Sequence, residues 1–320
     1  MCEKTRLSIG MPVFNGEKYL KEALDSILAQ SYPDFELIIS DNASTDRTPQ
    51  ICRAYAAKDS RIRYYRNKRN VGASKNFNRV FKLSSGKYFK WAAHDDLLAP
   101  EFLSRCINVL DQDSSIVLCY TKASWIDEHG KLVSTQDYKM RIDSQKPHER
   151  FGELLSFHYP PNAIFGVMRA GSLRMTPLIG EYIGSDRNLL AEIGLIGRIH
   201  EIAEYLFFRR KHPDSFTDRV YAVHAVSQDL LDWWNPATSW RLIFTYNCLE
   251  YFRSVRRVPL TWSERLLCYA QIAKWFIREG WSLMYYDVEM SLLRCLSLER
   301  KADPVVKILI RARKRLGGIK

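Results

Sequence analysis

Tyr88-Phe-Lys-Trp-Ala-Ala-His-Asp-Asp-Leu97 is the stretch that decides the fold. Lys87–Ala93 reads as a strand, and it delivers two adjacent carboxylates, Asp95 and Asp96, at its carboxyl end. Neighbouring carboxylates repel unless a cation stands beside them. Hard divalent ions such as Mg²⁺ and Mn²⁺ take oxygen ligands and share them with substrate phosphates. The pair therefore points to a metal–diphosphate site, against the plainer reading that it caps the helix predicted from Pro100 to Leu110.

Working outward, the first 120 residues alternate strand and helix. Strands are predicted at Leu7–Val13, Phe35–Ser40, Arg61–Arg66 and Ile116–Tyr120, and helices over Glu17–Gln30, from Thr48 to Lys58 and over Ala73–Leu83. Thr48-Pro49 is a helix start, with threonine able to cap and proline tolerated in the first turn. Short links between such elements predict a mostly parallel α/β sheet flanked by helices. Ligands in such sheets bind beyond the carboxyl ends of the strands. Pro12–Gly16, Asp41-Asn42, Asn70–Gly72 and Asp95-Asp96 all follow strands, so four loops converge on one edge.

Beyond residue 120 the pattern loosens. A hairpin is expected around Glu128-His129-Gly130, a short helix over Glu149–Phe157, a strand over Ala163–Arg169, a helix entered through Gly184-Ser185-Asp186, and a strand over Glu204–Arg210. From Val220 onward three or four helices are expected, rich in Trp, Tyr, Leu and Arg.

Met11-Pro-Val-Phe-Asn-Gly-Glu-Lys-Tyr-Leu20, Asp41-Asn-Ala-Ser-Thr-Asp46, Asn70-Val-Gly72 and His94-Asp-Asp96 together resemble a family 2 glycosyltransferase of the GT-A fold. The likeness is specific for residues 7–120 and weakens after them. Phe165-Gly-Val-Met-Arg169, Ser185-Asp186 and Arg209-Arg-Lys-His212 resemble a bacterial subgroup associated with surface polysaccharide assembly. The resemblance implies a GT-A domain over residues 1–215, with a nucleotide-sugar half to 120 and an acceptor half from 121, followed by a helical extension over 216–320. It implies transfer, with inversion, of a sugar from a nucleotide-sugar donor, commonly UDP-linked, to a glycan or lipid-linked acceptor, with Mg²⁺ or Mn²⁺ as cofactor.

Carried over by position, Pro12, Phe14, Glu17, Asn70 and Gly72 stand where the family holds the nucleotide. Asp41 matches the carboxylate that meets the base, Asp95 the ribose contact, and Asp96 the metal ligand. His212 is a further candidate metal ligand, Asp186 the general base with Glu181 as fallback, and Arg169 a candidate acceptor contact. His94 stands where the metal motif commonly begins with aspartate, which leaves one carboxylate fewer. Plainer readings stand beside these: Asp41 as a turn former, Asp186 as a helix cap, His212 and Arg209-Arg210 as ordinary surface or core residues. Asp46 reads as structural.

Composition narrows the alternatives. Seven scattered cysteines without Cys-x-x-Cys argue for reduced thiols and against a zinc site or disulfide framework. The N-terminus fits no signal peptide, and no apolar run approaches the ~18 residues of a membrane span, so a cytoplasmic protein is expected, with peripheral membrane contact open. The formal charge of +12 calls for anionic partners, but no nucleic-acid-binding motif is present. No Gly-x-Gly-x-x-Gly follows a strand and no P-loop occurs. The glycine-rich basic loop of sugar-phosphate nucleotidyltransferases is not matched by Pro12–Gly16. A nucleotide-sugar-binding protein that has lost transfer remains the other class. Residues 301–320 carry seven basic side chains against one acid, net +6. Val305, Ile308, Leu309, Ala312 and Leu316 form one stripe there, consistent with either a membrane-surface helix or a packed terminal one. Trp233, Trp234, Trp240, Trp262, Trp275 and Trp281 belong to core or interface.

Overall fold

The computed structural model describes residues 5–136, 140–156, 162–213, 215, 233–235 and 242–295. The stripe predicted at 305–316 and Trp240 lie outside them. Among the described residues nine strands form one sheet: β1 (Leu7–Val13), β2 (Phe35–Asp41), β3 (Ile62–Arg66), β4 (Tyr88–Trp91), β5 (Leu97–Leu98), β6 (Ile116–Ile126), β7 (Leu132–Gln136), β8 (Val167–Arg169) and β9 (Arg198–Arg210). Their order is β3-β2-β1-β4-β8-β6-β9-β5, with β7 paired to β6. Strands β3, β2, β1 and β4 run parallel. Beyond β4 the sheet is mixed: β8 is antiparallel to β4 and β6, β9 parallel to β6, and β5 antiparallel to β9. The parallel expectation thus describes the first half of the sheet and not the second.

Helices α1 (Leu20–Leu28), α2 (Thr48–Ala56) and α3 (Ala73–Lys82) cover the parallel half, and α4 (Phe102–Gln112) packs on β6, β8 and β9. Every residue of β1 and β2 is buried, as strands covered on both faces require. After the β6–β7 hairpin come α5 (Pro147–Leu154), α6 (Ala170–Arg174) and α7 (Ser185–Ile196). Helices α8 (Ile243–Arg257), α9 (Trp262–Trp275) and α10 (Trp281–Cys295) close the described chain. One apolar cluster joins Phe89, Trp91, Phe151, Leu189, Tyr251 and Trp275, so the last helices share a core with the sheet. Glu192 of α7 is buried, and Arg257 and Ser254 of α8 donate to its carboxylate at 2.8–2.9 Å. Among the described residues no helix is long and apolar enough to cross a membrane.

Candidate functional site

Strand polarity fixes the site. β1, β2 and β4 are parallel, so their carboxyl ends release Phe14–Glu17, Asn42–Asp46 and His94–Asp96 at one edge. α7 ends in the turn to Arg198, which pairs with Ile116 at the start of β6. β6 and β4 share a direction, because both are antiparallel to β8. The other end of α7, carrying Asp186, therefore points to the same edge as Asp95.

The first two loops are zipped together. The Asn15 amide donates to Ser44 Oγ at 3.0 Å, Gly16 N to Thr48 Oγ1 at 2.8 Å, and Glu17 N to Asp46 Oδ2 at 3.0 Å. In return Asn15 Oδ1 accepts the Thr45 amide and Glu17 Oε2 the Arg47 amide, at 2.9 and 2.8 Å. Asp46 also accepts the Thr48 amide at 3.0 Å, the structural role read for it. Thr48 itself caps nothing: Arg47 is the N-cap. Asn15 and Ala43 hold φ of 49° and 63°, left-handed values that cost a non-glycine residue free energy. Pro12 is buried in β1 and Phe14 half-buried at its end.

Asp41 is fully buried. Oδ1 accepts the Ser44 amide at 2.8 Å, and Oδ2 accepts the Tyr64 hydroxyl at 2.7 Å and Arg66 Nε at 3.2 Å. A base approaching Asp41 has to share Oδ2 with Tyr64 and Arg66. Beside it lies a string of amides of which the sequence reading named Asn70 and the Asn42 loop and missed Asn67 and Asn76. Asn42 donates to Asn70 Oδ1 at 2.8 Å, Asn67 to Asn42 Oδ1 at 2.9 Å, and Asn67 to Asn76 Oδ1 at 3.1 Å. Asn70 Oδ1 also accepts the Gly72 amide at 2.8 Å, and Gly72 is the N-cap of α3 at φ 87° and ψ 158°. Four asparagines within 35 residues, three of them just after strands, were the available signal.

The carboxylate pair is set by register. β5 follows the pair directly, and Leu97 faces Phe208 of antiparallel β9, so residues 209–212 run back past Asp96 and Asp95. The Arg210 amide donates to Asp96 Oδ1 at 2.9 Å, and Arg210 Nε to the Asp95 carbonyl at 2.9 Å. His212 Nε2 stands 3.0 Å from Asp95 Oδ2, its ring tilted against Tyr19 at 4.8 Å. His94 lies so close to Gly16 that a β-carbon there would meet its ring at 2.6 Å. This gives the histidine at the head of the motif a packing reason. Burial works to raise the Asp95 carboxyl, but the His94 and His212 charges and the His212 hydrogen bond outweigh it and hold it below its usual value. Burial, then the Asp95 charge, pushes Asp96 up to about 7. A cation beside two such buried neighbouring carboxylates would relieve their repulsion.

Among the described residues no three His, Cys, Asp or Glu side chains form a ready metal-holding group. A hard divalent ion that keeps one or two protein ligands and takes the rest from phosphate oxygens would find a carboxylate donor in Asp96, with His212 held 3.0 Å from the adjacent Asp95.

Other sequence-predicted residues are placed as follows. Glu181 Oε2 accepts Asn235 Nδ2 at 2.6 Å and pairs with Lys75 at 3.3 Å. Asp186 is half-buried in the first turn of α7, where Gly184 at φ 85° is the N-cap, so the capping alternative does not hold. Its Oδ1 accepts the adjacent Arg187 amide at 2.9 Å. Arg169 corrects the acceptor expectation. Its guanidinium donates to the carbonyls of Ile116, Leu110 and Asp113, at the amino end of β6 and the opposite edge of the sheet from Asp95. It ties β8 to the α4–β6 turn. Arg209 reaches Asn162 Oδ1 at 2.9 Å and lies over Trp125, while Arg210 is buried and pairs with Glu22 at 2.7 Å.

The fold is that of GT-A enzymes. S. aureus TarS 1-349 in complex with UDP-GlcNAc superposes with a TM-score of 0.60 at 16% identity, over 87% of this chain and 75% of that one. The UDP complex gives 0.59 at 17%, over 86% and 72%. The sequence model of Glycosyl transferase family 2 matches residues 8–170, half of the chain, and the chain belongs to that family. An uncharacterised glycosyltransferase of Rickettsia prowazekii is 37% identical over 141 residues, 44% of this chain and 43% of that protein. An uncharacterised glycosyltransferase of Haemophilus influenzae is 27% identical over 220 residues, 67% and 68% of the two chains. Escherichia coli chondroitin synthase is 27% identical over 211 residues, 65% of this chain and 29% of that one. The matches span less than half the length of the Rickettsia relatives.

Proposed function

We propose that this chain transfers a sugar, with inversion, from a nucleotide-sugar to a hydroxyl of a glycan or lipid-linked acceptor. The observation that carries the reading is the gathering of Asp95, Asp96 and His212 at the strand edge that also receives the Asp41 and Asn70–Gly72 loops. TarS binds UDP and UDP-GlcNAc, which favours a UDP-sugar here. Asp41 would meet the base together with Arg66, Asp95 the ribose, and the Pro12–Glu17 loop the nucleotide.

Asp96, with His212, would hold Mg²⁺ or Mn²⁺, and the ion supplies positive charge to the departing diphosphate. Asp186 takes the acceptor proton on the face opposite the leaving group; one positioned carboxylate suffices. Residues 1–215 make the transferase unit in this reading, and a role in surface polysaccharide assembly accords with the subgroup resemblance.

The test is calorimetry of UDP binding with and without Mn²⁺. Metal-dependent binding that disappears in Asp96→Ala supports the donor site. Absence of UDP, dTDP and GDP binding alike sinks it. Asp186→Asn is expected to lower kcat about a hundredfold or more while nucleotide affinity is kept; normal turnover overturns the base assignment.

A further inference from the structure

We propose that the outer face of the α9–α10 rod seats on an anionic lipid bilayer. This goes beyond the transferase reading and does not rest on it. α9, a π-helical turn at Phe276–Gly280 and α10 follow one another without a break. One side of this rod is core, with Cys268, Ile272, Trp275 and Asp287 buried. The other side carries Trp262 (77% exposed), Leu266 (61%), Ile277 (72%), Trp281 (57%), Tyr285 (61%) and Val288 (49%).

Those positions recur at spacings of 4, 11, 4, 4 and 3, each close to a whole number of helical turns, and two exposed alanines fill the long interval. An α-helix read at such spacings drifts by ~20° per heptad. The wider π turn between Ile277 and Trp281 counters that drift. A single apolar stripe thus runs along the rod on the side away from the core, and contiguous exposed apolar surface marks an interaction site.

Charge selects the occupant. On the rod Lys274 and Arg278 are the fully exposed charged side chains, Arg278 lying 3.6 Å from Glu279, while Glu279 and Asp287 are buried and Glu264 and Glu289 half-buried. On the neighbouring α8 the exposed charges are Arg253, Arg256 and Arg257, of which Arg253 pairs with Glu250 at 3.1 Å and Arg257 with Glu192 at 2.8 Å. Lys274 and Arg256 are thus left for anionic headgroups, each worth about 1 kcal/mol near the surface. The chain beyond α10 adds net +6 over residues 301–320. Trp and Tyr suit the headgroup level, where an indole or phenol is half wet. The rod, apolar along one side only, would lie in the plane of the interface.

The test is cosedimentation of the full chain with phosphatidylglycerol–phosphatidylcholine vesicles and with phosphatidylcholine vesicles, for the parent and for Ile277→Glu/Trp281→Glu. Both sites face solvent, and an unchanged melting curve checks that the variant folds. The parent is expected to bind only the anionic vesicles, and the variant at least tenfold more weakly. Three results overturn the proposal: no binding by the parent, equal binding to neutral vesicles, or parent-like binding by the variant, which would leave the basic segment acting alone. Light scattering that finds a dimer dissolved by the same substitutions assigns the face to a second copy instead.

Discussion

The site depends on a few buried charges that the protein itself must hold still. Arg210 is the clearest. Its guanidinium lies over the Tyr19 ring at 4.6 Å and donates to the Asp95 and Glu128 carbonyls and to Glu22. Glu22 is half exposed, so that ion pair adds little; the cost of losing Arg210 falls on the buried carbonyls. Arg210→Ala is expected to destabilise by roughly 3 kcal/mol, read as the shift in a urea midpoint, and to weaken UDP binding because the Asp95-Asp96 turn loses its fastener. Lys90 is the opposite case, an ammonium buried in β4 with no carboxylate in contact among the described residues. It donates to the Phe165 and Trp91 carbonyls and lies over Phe102 at 4.6 Å. Burial holds it down to about 7, against 10.5 in the unfolded chain. Between those values the unfolded state binds the extra proton, so the Lys90 penalty is full below pH 7 and fades as pH rises towards 10.5. Lys90→Met is therefore expected to raise the melting temperature at pH 7 and to flatten its rise between pH 7 and 10. A parent and variant with parallel pH profiles would show that Lys90 stays solvated.

At the scale of elements, the sequence was most legible where one rule governed. β1 and β2 are fully buried runs, and their ends were read to within a residue. β9 starts at Arg198, six residues before its expected start, because its first half is an edge-like stretch with Arg198, His200 and Glu201 half-exposed, and polar strand residues leave no apolar run to read. Only the end of the strand expected at Ala163–Arg169 forms: a 3₁₀ turn takes Asn162–Phe165 and leaves β8 three residues. Arg169 misled because sequence cannot tell which end of an antiparallel strand faces the site. The placing of His212 beside Asp95 could not be read from spacing, since the pairing of β5 with β9 spans over a hundred residues. Gly72 was legible for a physical reason as well: at φ 87° and ψ 158° it occupies a region essentially closed to other residues. Gly72→Ala is expected to cost about 2 kcal/mol and to loosen the Asn42–Asn70 contact. If the loop holds the nucleotide, as proposed, and not the reacting centre, donor KM should rise severalfold with little change in kcat. A variant with parent-like KM and stability would show that the N-terminus of α3 can rearrange freely.

At the scale of the molecule, the division at residue 215 meets a core that does not respect it. Phe151 of α5 stacks edge-on against Tyr251 of α8 at 6.1 Å, and Tyr251 against Trp275 of α9 at 5.5 Å. Glu192 of α7 is 2% exposed and relies on Ser254 and Arg257 for its hydrogen bonds. Removing the last helices would uncover an apolar face and leave a buried carboxylate without its cation, and stripping one partner from a buried pair costs on the order of 3–5 kcal/mol. That loss is comparable with the whole stability of an ordinary domain. A chain ending at residue 215 is therefore expected to be insoluble or to melt without a cooperative transition, even though every residue assigned to donor binding precedes that point. The milder form of the same test is Arg257→Met in the full chain. It should lower the melting temperature by several degrees, and Glu192→Gln combined with it should recover part of the loss, because the neutral amide no longer needs the cation. A soluble, cooperatively melting fragment that binds UDP would instead make the helices a separable appendage. The core packing described here would then contribute little to the transferase fold, and the boundary read from the sequence would be a true domain border.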